Sequence, residues 1–448
     1  METLCKSQCS FSFYRKKDVV VNFCGGEITT DAGLIPLREF DQRFQLTEGM
    51  DDCISDSRVS YLIDHQQKEM LRQRLYQIVA GYEDVDDCDL LRNDAMMKLM
   101  AGKKDFNKPL ASQPTITRLE NRVNWEEIEN LNNLNLEWFI KTREKMPEEI
   151  ILDIDSTDDS AYGKQQLVLF NGFYDQYMYN PLLLFEGKSG HLLSVLLRGG
   201  TAHSSKFADE MLKKTIDRLK EKFPTTKFYS RGDTAFGVPV ECDLCEQKDV
   251  KYAFGIIGNS VLQTKAAKLL TKAKEVYKKT GKATRFYTSF LYSAKSWKKK
   301  KRRICAKAEC NSEGTNLRFT VTNIKGRSRD IFAFYNDRGE CENRIKEIKN
   351  GFAADRLSCH TYLANSFRLN LHCLAYNLVN LFREKILATT TLAKAQIDTL
   401  RYKLFKIGAW VKESCRRIWV KLASGWPYRN LFRQIHLTVR GYIIPLRC

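Results

Sequence analysis

Residues 149–159 read EIILDIDSTDD, and the fold class turns on them. Apolar, largely β-branched positions alternate through Ser156, and strand side chains alternate with period two, so Ile151, Asp153 and Asp155 share one face. An ionised Asp in a buried strand is costly unless a cation compensates it. Asp155 falls at the strand's C-terminal end, where α/β sheets place ligands, and Asp233 falls just past the next central strand, in SRGDTAF. Two carboxylates on neighbouring strand ends suit a divalent metal. Turn and helix capping is the competing explanation for Asp158, Asp159 and Asp233.

Working outward, residues 166–179, 181–186 and 192–197 supply further strands, and Phe207, Met211, Leu212, Ile216, Leu219 and Phe223 form one helical stripe. A strand over 227–230, a helix near 238–248 and the strand YAFGII complete a mixed α/β sheet. Upstream, Leu62, Leu71, Leu75, Ile78 and Val79 recur at helical spacing, with Thr30 or Asp31 placed to cap a helix and Gly81 and Gly102 placed to stop helices. Downstream, Leu363, Phe367, Leu371, Leu374, Leu378 and Leu381 mark one long amphipathic helix. The expected organisation is a lead-in over 1–23, a helical domain over 24–145, the first part of an α/β core over 146–257, a β-rich basic insertion over 258–329, the core's final helices over 330–386, and a basic helical C-terminal region over 387–448.

The formal charge of +19 is unevenly spread. Residues 264–303 carry 15 Lys/Arg against one Glu, and residues 401–448 carry 11 against one, so the rest of the chain is slightly acidic. Two basic blocks interleaved with aromatics (Phe286, Tyr287, Phe290, Tyr292; Trp410, Trp419, Trp426) point to a polyanion, since each Lys or Arg on a phosphate releases condensed counterions. The 14 Cys are scattered, and no apolar run resembles a signal peptide or spans a membrane, so the expected location is a reducing cytoplasm.

Further along, Tyr335, Arg338, Glu342 and Lys349 are spaced to stack on one face of a continuous helix, a carboxylate flanked by cations. At this point the chain resembles bacterial insertion-sequence DDE transposases with a ribonuclease H-like core, most closely the family of insertion sequence thirteen-eighty. The resemblance rests on GGEITTDAGLIPL, LDIDSTDD, QQLVLFNGFYDQYMYNPLLLF, RGDTAF and ENRIKEIKNGFAADRLSCH, and above all on Tyr335-x2-Arg338-x3-Glu342-x6-Lys349, the YREK signature. It implies a mixed α/β sheet flanked by helices. Asp155, Asp233 and Glu342 become the catalytic, metal-binding triad, with Asp153 as support or alternative.

The resemblance further implies two Mg²⁺ ions, with Mn²⁺ as a substitute, and places Tyr335, Arg338 and Lys349 on the DNA backbone. Expected DNA contacts also include Arg231, Trp297 and the run Lys298, Lys299, Lys300, Lys301, Arg302 and Arg303. Ser112, Gln113, Thr115, Thr117 and Arg118 open a helix able to read a transposon end. The implied activity is cut-and-paste transposition: metal-dependent cleavage and strand transfer at terminal inverted repeats of double-stranded DNA, by a homodimer on paired ends. The alternatives are a catalytically inactive DNA-binding derivative acting as a repressor, and a ribonuclease H-like host nuclease.

Overall fold

The alternation at 149–156 folds as a strand at the heart of a large mixed sheet. The computed structural model describes residues 8–161, 163–297 and 299–441. Its described residues divide into two units, one of 53–55 and 120–384, the other of 8–52, 56–119 and 385–441.

The larger unit opens with helix α1 (Trp125–Lys141), whose Asn124 cap and Glu127 exchange hydrogen bonds in a reciprocal box at 3.0 and 2.9 Å. Strand β1 (Glu149–Ser156) follows, then a small sheet of β2 (Asp159–Ser160), β3 (Leu169–Asn171) and β4 (Gln176–Tyr179). Next come β5 (Leu182–Glu186), β6 (Leu192–Leu196), helix α2 (Ala208–Lys222), β7 (Lys227–Gly232), α3 (Pro239–Gln247) and β8 (Lys251–Ile256). The basic segment then contributes α4 (Ser260–Thr280), β9 (Thr284–Tyr292), β10 (Arg302–Asn311) and β11 (Gly314–Thr322). Helices α5 (Ser328–Asn336), α6 (Gly339–Lys346) and α7 (Tyr362–Phe382) end the unit.

Eight strands form one sheet in the order β9-β10-β11-β8-β7-β1-β5-β6. Strands β1, β7 and β8 run parallel, and the other pairings are antiparallel. The three strands of the basic segment extend this same sheet through β11 on β8. Ile150, Leu152 and Ile154 of β1 pack into one cluster with Leu212, Ile216 and Leu219 of α2 and Phe139 of α1. The opposite face of β1 is left to Ile151, Asp153 and Asp155.

Strand β6 is an edge with unpaired backbone groups, which side-chain amides satisfy. Asn377 of α7 both accepts from Leu192 N–H at 2.9 Å and donates to Leu192 C=O at 2.8 Å, and Asn132 of α1 accepts from Val195 N–H at 2.9 Å. Helix α7 is buried from Ala364 to Phe382, so its expected amphipathic stripe is part of a helix covered on all sides. Its polar residues serve internal hydrogen bonds, and no helix among the described residues is long and apolar enough to cross a membrane.

In the smaller unit, helices Gln67–Ala80 and Ala95–Ala101 stop where expected, at Gly81 and Gly102, whose φ of +92° and +81° disfavour any residue with a Cβ. Asp31 makes no side-chain cap; it is buried, accepting from the Tyr82 hydroxyl at 2.9 Å and pairing with Lys406 at 2.6 Å. The C-terminal region, expected to be helical, instead carries a hairpin of Ala409–Ser414 and Arg417–Leu422, followed by a helix over Arg429–Gly441. Its physical reason is local. AWVKES and RIWVKL carry Trp, Val and Ile, residues that favour strands, and the two-residue turn Cys415-Arg416 joins them.

Candidate active site

Parallel pairing of β1 with β7 sets the site. Its register places Asp153 beside Arg231 and Ile154 beside Gly232, so Asp155 and Asp233 follow at the same end of adjacent strands. The first pair is a buried clamp: Arg231 donates to both Asp153 oxygens at 2.6 and 2.7 Å, with the two side chains 3% and 1% exposed. Arg344 approaches the same carboxylate at 3.7 Å while donating to the carbonyls of Glu186 and Gly187. Burial raises the Asp153 carboxyl above its ordinary value, and Arg231 and Arg344 pull against that rise. Asp153, weighed beside Asp155 as a ligand, is thereby occupied in structure. Arg231, expected on DNA, is occupied too, its Nη1 donating to Phe334 C=O at 2.9 Å.

Asp155 has no such clamp. Among the described residues it accepts only a 2.8 Å bond from Ser156 N–H, and burial followed by the negative charge of Asp233 pushes its carboxyl from 3.8 up to about 7. Asp233 accepts from Ala235 N–H at 2.8 Å in the turn leaving β7. Glu342 also contributes negative charge at Asp155, and Arg338 contributes positive charge, so one neighbourhood holds all four. Glu342 is 56% exposed and lies 3.7 Å from Arg338. Among the described residues no three His, Cys, Asp or Glu side chains already stand close enough to hold a metal ion. The donor chemistry nevertheless suits a hard divalent cation: carboxylate oxygens, two of them on rigid strand ends and poorly neutralised.

The expected continuous helix of the signature is broken. Tyr335 lies in α5, Arg338 at the junction capping α6, Glu342 in α6, and Lys349 in a π-helical turn over Glu347–Gly351. A 3.6-residue register therefore does not relate the four. Tyr335 is buried, with Arg338 over its ring at 5.3 Å, and its hydroxyl occupies the space a Cβ at Gly255 would need. Lys349 donates to the Asp158 carbonyl at 2.7 Å and pairs with its carboxylate at 3.3 Å. A cavity of about 530 Å³ opens beside Tyr335 and Arg338, bounded by Thr234, Ile257, Arg318 and Phe319.

Other expected DNA contacts scatter. Trp297 is 6% exposed, edge-on to Tyr292 and beneath the Arg302 guanidinium, and so is a core residue. Arg302 is 3% exposed and paired with Asp243 and Glu246, which Lys300 also engages, while Arg303 donates to the carbonyls of Ile324 and Gly326. Lys299 and Lys301 are exposed, and Lys298 lies outside the described residues. The exposed lysines of α4 make the fuller basic face. On the helix Gln113–Arg122, Ser112 bonds Thr115 at 3.1 Å and Gln113 donates to Thr117 at 3.2 Å, while Arg118 is exposed.

Sequence reasoning missed three participants. Arg344 carries no spacing signal linking it to Asp153. Asp159, read only as a cap, is 2% exposed with neither carboxylate oxygen hydrogen-bonded among the described residues, and burial, then Asp355, holds it well above the carboxylate range. Tyr174, in the hairpin of β3 and β4, has its phenol raised by burial and then by Asp158, Asp155 and Asp233, which places it at this site.

Residues 11–442 match the family described as Transposase DDE domain group 1. No curated protein matches the chain.

Proposed function

Since the chain belongs to the DDE transposase family, we propose that it binds the terminal inverted repeats of a bacterial insertion sequence and cleaves and rejoins DNA strands there. Within that family we assign it to the type of insertion sequence thirteen-eighty, with a ribonuclease H-like core. The strand order supports the core assignment: antiparallel β5 and β6 lie on one side of β1, and parallel β7 and β8 on the other.

The observation that carries the reading is the convergence of Asp155 and Asp233 on adjacent strand ends, where burial and then the charge of Asp233 hold Asp155 up to about 7. Asp155, Asp233 and Glu342 would hold two Mg²⁺ ions, or Mn²⁺ in their place. Bound there, the ions supply activation of the attacking water or 3′-hydroxyl and neutralisation of the leaving oxygen. The chain's own residues do the rest. The Asp153–Arg231 clamp fixes the two strand ends against each other, a requirement for holding ligands within a fraction of an ångström. Arg338, beside both Asp, meets the charge of the incoming phosphate, and Tyr335 fixes the guanidinium from below. Lys349 braces Asp158 and presents a second cation along the backbone. Exposed Lys on α4 add sequence-independent affinity, and two chains pair the two ends of the element.

The test uses purified full-length protein and plasmid DNA carrying the sequences that flank its reading frame. Strand cleavage at the ends of the element, present with Mg²⁺ and absent with chelator, is expected. DNA binding without any cleavage under either condition would leave only a binding protein.

A further inference from the structure

Between the first two catalytic strands the chain builds a hairpin whose aromatic residues are largely unburied. Strands β3 and β4 pair from Leu169↔Met178 to Asn171↔Gln176, leaving the four-residue tip Gly172, Phe173, Tyr174 and Asp175. The tip has a defined shape. Asn171 Oδ1 accepts from the Phe173 and Tyr174 N–H groups at 2.9 and 3.4 Å, and Asp175 takes φ +53°. Phe173 and Tyr174 meet edge-on at 5.0 Å, with Phe173 88% and Tyr174 42% exposed. Phe170 and Tyr177 form a second edge-on pair at 5.4 Å, also exposed. So much aromatic area facing solvent on one hairpin calls for a ligand.

The hairpin is hitched to the carboxylate site. β4 pairs with β2, only three residues beyond β1, and Ser160 donates to Gln176 at 2.7 Å. Gln176 in turn donates at 3.3 Å to Asp158, the carboxylate that Lys349 engages. Tyr174 itself lies within electrostatic reach of Asp155 and Asp233. A nucleotide whose phosphate sat at those carboxylates would bring its base toward this tip. Residues 171–176 contain no cation and one anion, Asp175, so the tip is suited to the uncharged face of a base rather than to the phosphate backbone.

We propose that Phe173 and Tyr174 form a stacking platform for unpaired DNA bases next to the scissile phosphate, engaging the strand once the duplex opens. The proposal rests on the transposase reading above and adds a nucleobase site to it. A second copy of the chain seated on the same rings is the rival occupant, and the test separates the two.

The probes are a blunt duplex oligonucleotide and the same duplex with a short 3′ single-stranded extension containing 2-aminopurine, each titrated with the full chain. The wild type is expected to prefer the extended duplex and to quench 2-aminopurine. The Phe173→Ala/Tyr174→Ala variant is expected to bind the extended duplex about tenfold more weakly, to lose the quench, and to bind blunt duplex as before. Phe173→Trp, which keeps an aromatic face, is expected to retain the quench and thereby excludes a folding defect at this tip. Unchanged quench and affinity in the double alanine variant would overturn the proposal. So would intact DNA binding together with lost self-association in sedimentation, which would give the surface to a second copy. A wild-type chain that binds neither duplex would overturn the transposase reading itself, and this inference with it.

Discussion

Replacing Asp153 tests whether this carboxylate is a structural clamp or a spare ligand. Arg231 and Asp153 are 3% and 1% exposed and share two hydrogen bonds at 2.6 and 2.7 Å. Removing one partner of such a pair leaves a buried charge uncompensated and costs about 3–5 kcal/mol. The two halves are not equivalent here. Asp153→Asn leaves Arg231 and Arg344 facing a neutral amide, so its cost is expected near ~5 kcal/mol. Arg231→Met leaves Asp153 with Arg344 still 3.7 Å away, so its cost is expected nearer ~3 kcal/mol. The double variant Asp153→Leu/Arg231→Met is expected to recover most of the loss, because paired apolar side chains carry no desolvation penalty. Urea unfolding followed by far-ultraviolet circular dichroism, with midpoint and slope both fitted, supplies the comparison. A loss below about 1 kcal/mol in either single variant, the scale of an exposed ion pair, would refute the clamp.

Three further outcomes are expected. His191 is fully buried with its ring 2.7 Å from the Asn135 carbonyl, and burial lowers its pKa from 6.5 to about 3. Below 6.5 the unfolded chain therefore takes up a proton that the folded chain refuses, and stability falls with pH by about 2 kcal/mol at pH 5; the His191→Gln variant is expected to lack this acid slope in denaturant titrations. Trp297→Ala is expected to cost about 3–5 kcal/mol of stability and to leave DNA affinity unchanged wherever the variant remains folded, as calorimetry and a binding titration together would show. Lys299→Gln/Lys301→Gln is expected to lower the slope of log affinity against log salt by about 2, whereas Arg302→Gln is expected to destabilise the fold instead, having lost its pairs to Asp243 and Glu246.

The central strand was legible because it is governed by local rules: alternation places Asp153 and Asp155 on one face, and a buried carboxylate demands a partner. The sequence could also give the basic segment's charge and its strands. It could not show that β11 would join β8, since pairing between distant strands leaves no periodic signature. Nor could it separate Asp153 from Asp155, because both lie on the same face; only the register with β7 supplies Arg231 to one and leaves the other with Asp233. The YREK spacing was visible, but helical periodicity misplaced it, as the Arg338 junction and the π-helical turn at Lys349 break the register. Charge runs misled most at Lys298–Arg303, where Arg302 turns inward to carboxylates of α3. The C-terminal hairpin is legible in the Trp, Val and Ile of AWVKES and RIWVKL, short strand-favouring runs on either side of a two-residue turn.

Metal-dependent strand cleavage by Asp155→Asn, Asp233→Asn and Glu342→Gln, each measured on DNA carrying the ends of the element alongside a duplex-binding titration, tests the proposed triad most directly. Each variant is expected to bind duplex as the wild type does and to lose detectable Mg²⁺-dependent cleavage, because removing one carboxylate unseats an ion and leaves the basic surface of α4 intact. Cleavage at the wild-type rate in any one of the three would remove that residue from the site, and in Asp155→Asn or Asp233→Asn it would contradict the reading of the paired strand ends as the catalytic centre.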